Sequence, residues 1–338
     1  MARAKISDVA ALAGVSSATV SYVLNGKCSI SDETRRRVMD AVEKLDYVPN
    51  LAARGLSMRD SKLIGVVIPQ TEPGDRLMFQ NSFYGEVLGS IEYYARQKGY
   101  HILISATDAN ESYLTLARQR NLDGIIVIGV YPDDFYHQMK ETQIPIVLID
   151  SYCNDFYYHN VRIDDAYGSY LATKHMLENG HREIAFFSGQ IKENGVMKKR
   201  LLGYQRALDE YSVPYRKDFV FEGQIDYQCG ILLSQKLVDS SLPVTAVVAA
   251  ADILAIGALK GFYEAGKRIP EDYSVIGFDD LEITRYLTPG LTTIKQPISR
   301  KGQKAVELLL KNIENPALSR QEEVLPIELI KRESVQRL

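Results

Sequence analysis

The sequence predicts a small all-α head joined to a two-lobed α/β domain with parallel sheets. Three observations carry that expectation. Two short apolar-periodic segments flank Gly14-Val15 near the start of the chain. From residue 63 onward, near-continuous apolar strands alternate with helical segments. That alternation runs in two series of similar length, and 338 residues are too many for a single core.

In the head, Val9, Ala10, Leu12 and Ala13 give one helix an apolar face, and Ala18, Val20, Val23 and Leu24 give a second its own. Ser16 is placed to cap the second. Helix, Gly-bearing turn, helix is the helix-turn-helix plan, whose second helix lies in the DNA major groove. An αα-hairpin with no DNA role has the same outline, and residues 7–25 alone do not separate the two. A turn over 26–29 leads to a third helix capped by Ser31. Asp32 and Glu33 suit its positive end, and Val38, Met39, Ala41, Val42 and Leu45 form the expected buried stripe. Arg35, Arg36 and Arg37 read either as a solvated face or as phosphate contacts. Pro49 ends this helix, because the residue before a proline disfavours helical geometry. Asn50 then caps 51–58, a segment too short to be a stable helix by itself, and 55–62 has linker composition.

The α/β part begins with strand 63–69 and helix 81–98. Strand 101–105, helix 111–120, strand 124–129, helix 133–142 and strand 145–150 follow. A second series starts near Val161, with helices 165–179, 195–211, 226–239 and 252–265. Between them lie strands 183–188, 219–222, 246–251 and 274–278. Strand 292–296, helix 299–312 and a late strand over 324–330 complete the chain. Two such series imply two lobes, with a cleft at the carboxyl ends of their strands.

Composition narrows the function classes. The net charge of −3 is unevenly spread: residues 1–62 hold ten Lys/Arg against seven Asp/Glu, so the head is mildly basic and the body acidic. The 21 Tyr and 10 Phe supply aromatic surface for a binding cleft in a chain without Trp. The longest apolar runs have strand length, and no apolar segment follows the positive charges of residues 1–5. A soluble, cytoplasmic protein without membrane partners is the expectation. Cys28, Cys153 and Cys229 are far apart and read as buried thiols in a reducing compartment. No phosphate loop, zinc helix or nucleophile elbow occurs, and the five His (101, 137, 159, 175, 181) form no ligand spacing. No catalytic residue, cofactor or metal is therefore expected.

Particular residues, in order, resemble the lac repressor (LacI/GalR) family of bacterial transcription regulators. Ile6-x-Asp8-Val9-Ala10-x-x-Ala13-Gly14-Val15-Ser16-x-Ala18-Thr19-Val20-Ser21-x-Val23-Leu24-Asn25 follows the family's DNA-binding pattern almost residue for residue. Ser31-x-x-Thr34-Arg35-x-x-Val38, Leu45-x-Tyr47-x-Pro49-Asn50 and Ala53-Arg54-x-Leu56 continue it. Farther on, Asp123-Gly124-Ile125-Ile126, Asn179-Gly180-His181-Arg182 and Arg200-x-x-Gly203-Tyr204 match as well. So do Val275-Ile276-Gly277-Phe278-Asp279-Asp280 and Leu291-Thr292-Thr293-Ile294. Each string is weak alone; their joint occurrence over essentially the whole chain is specific.

The resemblance implies a repressor that binds a palindromic operator as a homodimer and answers to a small effector, most often a sugar. It implies a headpiece over 1–49, a hinge helix and linker over 50–62, and an effector-binding and dimerisation domain over 63–338. The body resembles type I periplasmic sugar-binding proteins, with one lobe about 63–161 and 294–323 and the other about 162–293 and 324–338. Ser17, Ala18 and Tyr22 then occupy base-facing positions, while Ser16, Thr19, Ser21 and Asn25 suit phosphates. Leu56 becomes the apolar wedge that kinks the central minor groove. In the cleft, Arg200 and Asp279 are placed to grip sugar hydroxyls, with a mutual salt bridge as the structural alternative. Asp150 is a further carboxylate candidate, and Phe83 and Tyr84 are candidates for stacking on a sugar face.

Several positions depart from the family. Tyr22 stands where Arg is usual, and a phenol cannot make Arg's bidentate bond to guanine, so base readout and phosphate contact both remain open for it. Ala251-Asp252 lacks the Asn common before that Asp, and Ile225 stands where some members place a stacking aromatic. Arg332–Leu338 carries no leucine heptad, so no tetramerising tail is expected.

Overall fold

The first helix is fixed at both ends by short-range bonds. Lys5 donates its backbone N–H to the Asp8 carboxylate at 2.8 Å, and α1 runs Ile6–Ala13. Gly14 stops it in the left-handed conformation (φ 66°), which glycine adopts without steric cost, and Val15 N–H closes on the Ala10 carbonyl at 3.0 Å. In the computed structural model that these elements come from, the described residues are 4–24, 30–47, 61–69, 81–107, 120–129, 133–140, 143–152 and 157–338. The chain divides into two compact units, 1–61 and 62–338.

In the first unit, α1 is joined by α2 (Ser17–Leu24) and α3 (Asp32–Lys44), three helices among the described residues. Val9, Ala10, Ala13, Val20, Val23, Val38 and Ala41 form its core. Three residues expected on the inward faces are exposed instead: Leu12, Ala18 and Met39. Successive helical residues are turned by about 100°. Val9, Ala10 and Ala13 therefore share an arc that Leu12 falls outside. Met39 likewise lies off the arc of Val38, Ala41 and Val42.

The second unit contains two six-stranded sheets. Sheet one holds β1 (Leu63–Pro69), β2 (His101–Thr107), β3 (Gly124–Ile128), β4 (Ile146–Ile149), β5 (His159–Ile163) and β11 (Glu322–Leu325), in the order β11-β5-β4-β3-β1-β2. All its pairings are parallel. Sheet two holds β6 (Ile184–Gly189), β7 (Val220–Gly223), β8 (Ala246–Ala249), β9 (Ser274–Asp279), β10 (Thr292–Lys295) and β12 (Glu328–Ile330), in the order β12-β10-β9-β8-β6-β7. Only β12 runs antiparallel to its neighbour. The helices are α4 (Ser82–Gln97), α5 (Asp133–Lys140), α6 (Asp165–Glu178), α7 (Val196–Glu210), α8 (Tyr227–Asp239), α9 (Asp252–Glu264) and α10 (Ile298–Glu314). Helix 111–120 of the sequence reading lies outside the described residues. Cys229 is buried, and Cys28 and Cys153 lie outside them too.

The expected late strand over 324–330 is two strands in different sheets. Glu322–Leu325 pairs with β5, whereas Glu328–Ile330 pairs with β10. Pro326 separates them; it has no N–H to give a ladder and breaks an otherwise continuous apolar-periodic run. Near Val161, where the second series was expected to start, β5 still belongs to sheet one, through Ile163. The chain thus crosses between lobes after Ile163, after Lys295 and after Leu325.

Candidate functional site

On the head, Val20 and Val23 turn inward, which leaves Ser17, Ala18 and Tyr22 exposed on the other side of α2. Ser16 caps this helix: its Oγ accepts from the Thr19 N–H at 3.1 Å and lies 2.9 Å from the Thr19 hydroxyl. Two hydroxyls thus sit at the positive end of the helix, a position that favours a phosphate oxygen. Arg35, Arg36 and Arg37 are all exposed. Asn25 and Leu56 lie outside the described residues.

In the body, the side chains proposed from sequence converge on the carboxyl ends of the strands. Asp150 follows β4 and Asp279 ends β9; both adopt positive φ (52° and 125°), as does Asp280 (56°). Such backbone is strained in a residue with a Cβ, by roughly 1–3 kcal/mol, and sharply redirects the chain where each carboxylate emerges. Arg200 lies on α7, which runs close against α6 because residue 203 is Gly. A Cβ there would stand 1.9 Å from the Ala166 carbonyl oxygen. That approach brings Arg200 Nε to 2.8 Å from Asp165 Oδ1, at the start of α6. The guanidinium also donates to the Ala250 carbonyl, lies 3.7 Å from Asp279 and stacks 3.6 Å from the centroid of the Phe278 ring.

Four residues that the sequence reading did not name complete the cluster. Lys301, fully buried on α10, donates to both Asp150 oxygens (2.6 and 2.5 Å) and to the Gln296 side-chain carbonyl. Gln296, in the segment that crosses between lobes, passes its amide N–H to Asp279. Tyr152 donates its hydroxyl to Asp165 at 2.5 Å. A continuous hydrogen-bonded line therefore runs from Asp150 of one lobe through Lys301 and Gln296 to Asp279 of the other. The signal for Lys301 was present: it interrupts the apolar stripe of Ile298, Gly302, Ala305, Val306 and Leu309 on one helix face.

Electrostatics follow from burial. Desolvation pushes the Asp279 carboxyl up to about 6 despite Arg200, Gln296 and Lys301. Burial and then the Asp279 charge push Asp252 up to about 8. Asp252 nonetheless accepts bonds from the Thr293 hydroxyl (2.6 Å) and the Leu281 N–H (2.9 Å), bracing the chain just beyond Asp279. Burial holds Asp150 above the usual carboxylate range even beside Lys301. Phe83 and Tyr84 pack edge to face at 5.3 Å, and the Lys301 ammonium lies 5.5 Å from the Phe83 ring centroid. Burial raises the Tyr84 hydroxyl, and the charges of Asp150 and Asp279 raise it further. All five cleft residues proposed from sequence thus gather at this cluster. Ile225 instead packs over Gly189 at the end of β6.

A helix-turn-helix head on a body of two parallel-sheet lobes, with a polar cluster where the lobes meet, defines a DNA-binding regulator with a ligand-binding domain. Residues 5–50 match the lacI family of bacterial regulatory proteins, and 173–335 match the periplasmic binding protein-like domain. The ribose operon repressor of Haemophilus influenzae is 35% identical over 98% of this chain and 98% of its own length. A lac repressor dimer, solved on its operator with an anti-inducer, superposes with a TM-score of 0.86 at 27% identity, covering 99% of this chain and 100% of that one. A lacI-family regulator from Enterococcus faecium with bound ribose gives 0.72 at 33% identity, covering 82% and 99%. The chain belongs to the lacI family, as a transcriptional repressor and not an enzyme.

Proposed function

We propose that the protein binds a palindromic operator as a homodimer in the cytoplasm, and that a sugar held between its lobes sets its operator affinity. The carrying observation is the cluster itself. Buried carboxylates of both lobes, a guanidinium and a side-chain amide lie beside two aromatic rings, a combination suited to grip hydroxyls and cover a sugar face. Arg200, Asp279 and Asp150 make the polar contacts, and Phe83 and Tyr84 the stacking ones. Ribose is the first sugar to test, since two of the relatives above are named for it or hold it.

On DNA, Ser17, Ala18 and Tyr22 face the bases, and Ser16, Thr19, Ser21 and Asn25 hold phosphates. Residues 50–62 act as the hinge, with Leu56 in the central minor groove. Two heads reading half-sites one helical turn apart require two chains, which is the argument for the homodimer. The test is fluorescence anisotropy of the full chain on a labelled palindromic operator, titrated with ribose and other neutral sugars. A sugar that shifts operator affinity at least tenfold, and fails to do so with Arg200→Ala, supports the reading. Operator affinity indifferent to every sugar refutes the effector half, and absence of sequence-specific binding refutes the other.

A further inference from the structure

The buried charges of the described residues have an unusual distribution. Every buried Asp, Glu, Lys and Arg among them belongs to the one cluster between the lobes: Asp150, Asp165, Asp252, Asp279, Arg200 and Lys301. Four carboxyls meet two cations. The cluster is therefore richer in acid than in base by composition, whatever share of the carboxyls is ionised.

Both cations already face buried carboxylates, and Lys301 is fully committed. The three N–H bonds of Lys301 go to the two Asp150 oxygens and to Gln296. Arg200 gives its Nε and one terminal nitrogen to Asp165 and the other to the Ala250 carbonyl, which leaves one N–H on each terminal nitrogen for a ligand hydroxyl. Asp165 is itself held by the Tyr152 hydroxyl, which fixes the guanidinium in place. Lys199 lies near the outer edge, 5.3 Å from the Tyr152 ring centroid and outside the buried set. The acceptors are less fully spent: Asp279 receives one bond from Gln296, at Oδ1, with its second oxygen remaining.

We infer that this cleft selects an uncharged, donor-rich polyol and rejects the phosphorylated or acidic form of the same sugar. This inference rests on the sugar-binding reading above and adds the charge class of the ligand. Hydroxyl groups donate to the carboxylates without adding charge. A phosphate or carboxylate would enter a site with an excess of carboxyls and, lacking protons to give, would leave those acceptors unmatched. For Lys301 to meet it, the ammonium would have to abandon a buried carboxylate, which is costly in a low-dielectric site.

The test is calorimetric titration of the full chain at pH 7.5 with paired probes: D-ribose, D-ribose 5-phosphate and D-ribonate, then the corresponding neutral, phosphate and acid forms of common hexoses. A neutral sugar should bind at least 30-fold more tightly than its phosphate or acid. A phosphate or acid that binds as tightly as its neutral partner, or more so, overturns this inference and leaves the sugar-binding reading standing. Silence from all members of the panel overturns both. Asp165→Asn supplies a second measurement, because it removes one negative charge and frees part of the Arg200 fork. The neutral-to-phosphate ratio should narrow by about tenfold, an effect a purely structural Asp165 would not produce; an unchanged ratio overturns the charge argument.

Discussion

Replacing Lys301 by methionine keeps most of the side chain's volume and removes only the ammonium. Asp150 then loses the partner that bonds both its oxygens, in a site where it is almost wholly buried. Breaking a buried ion pair in this way costs about 3–5 kcal/mol. A second route gives the same size. Asp150 escapes by taking up a proton, and holding a carboxyl of reference pKa about 3.9 protonated at pH 7 costs ~4 kcal/mol, at 1.36 kcal/mol per pH unit. The same arithmetic gives ~1.5 kcal/mol at pH 5. The sign follows from proton binding: in the variant the folded state binds the extra proton, so its relative stability falls as pH rises. Other titrating groups act on wild type and variant alike and drop out of the difference. Burial already raises Asp150 in the wild type, so urea unfolding of both proteins at pH 7 and pH 5 should show a penalty of up to about 4 kcal/mol at pH 7 that shrinks on acidification. A penalty below about 1 kcal/mol at pH 7, or one equal at both pH values, would refute the account of Lys301 as Asp150's buried counterion.

Three further outcomes are expected. Tyr22→Arg should turn operator preference toward guanine at the contacted base, worth about 1–3 kcal/mol of discrimination, read by anisotropy across a set of operators varied at each half-site position; an unchanged preference would place Tyr22 on a phosphate. Leu56→Ala should weaken operator binding at least tenfold while leaving effector affinity within twofold, and equal losses in both would remove the hinge assignment. Burial holds His159, His175 and His181 below their ordinary values, with Arg320, Lys331 and the neighbouring His181 adding to it at the first two. The unfolded chain then binds more protons as pH falls through about 6.5, so the stability these residues contribute is present above that pH and lost below it. His159 shows why: its Nδ1 accepts from the Gln321 N–H at 3.0 Å, a bond that protonation removes. A thermal midpoint no lower at pH 5.5 than at pH 7.5 would contradict this.

The fold was legible because its signals are local and repeated. Apolar strands of four to seven residues and the Gly14 turn are properties of adjacent residues, so periodicity alone places them. What periodicity missed were choices made by tertiary contact. Leu12 and Met39 are apolar and near an inward arc, yet only the packing of three helices decides how wide that arc is. Residues 324–330 look like one strand because their pattern cannot show that Pro326 hands the chain from one sheet to the other. In the cleft, Arg200 and Asp279 were found through motifs. Lys301 and Gln296 were not, since their role lies in bonds to residues about 150 and 17 positions away. Tyr152 and Asp165 escaped for the same reason, being joined across the first crossing between lobes.

The positions of these bonds in the chain bear on how a ligand acts. Asp150 precedes the first crossing, Asp165 follows it, and Gln296 and Lys301 sit on and just after the second. The cluster therefore gathers the segments about which the lobes would move relative to each other. On the proposed reading, a sugar hydroxyl that donates to Asp150 or Asp279 engages groups that already tie one lobe to the other through Lys301 and Gln296. Its binding energy then differs between lobe arrangements in which this line is intact and those in which it is stretched. Such a difference is the whole requirement for shifting a conformational equilibrium. A ligand bound with equal strength in both arrangements would leave operator affinity untouched, however tightly it were held. The excess of carboxyls gives the cleft its proposed selectivity for uncharged ligands, and the Lys301–Asp150 and Gln296–Asp279 bonds place the ligand's contacts on the crossings rather than on either lobe alone.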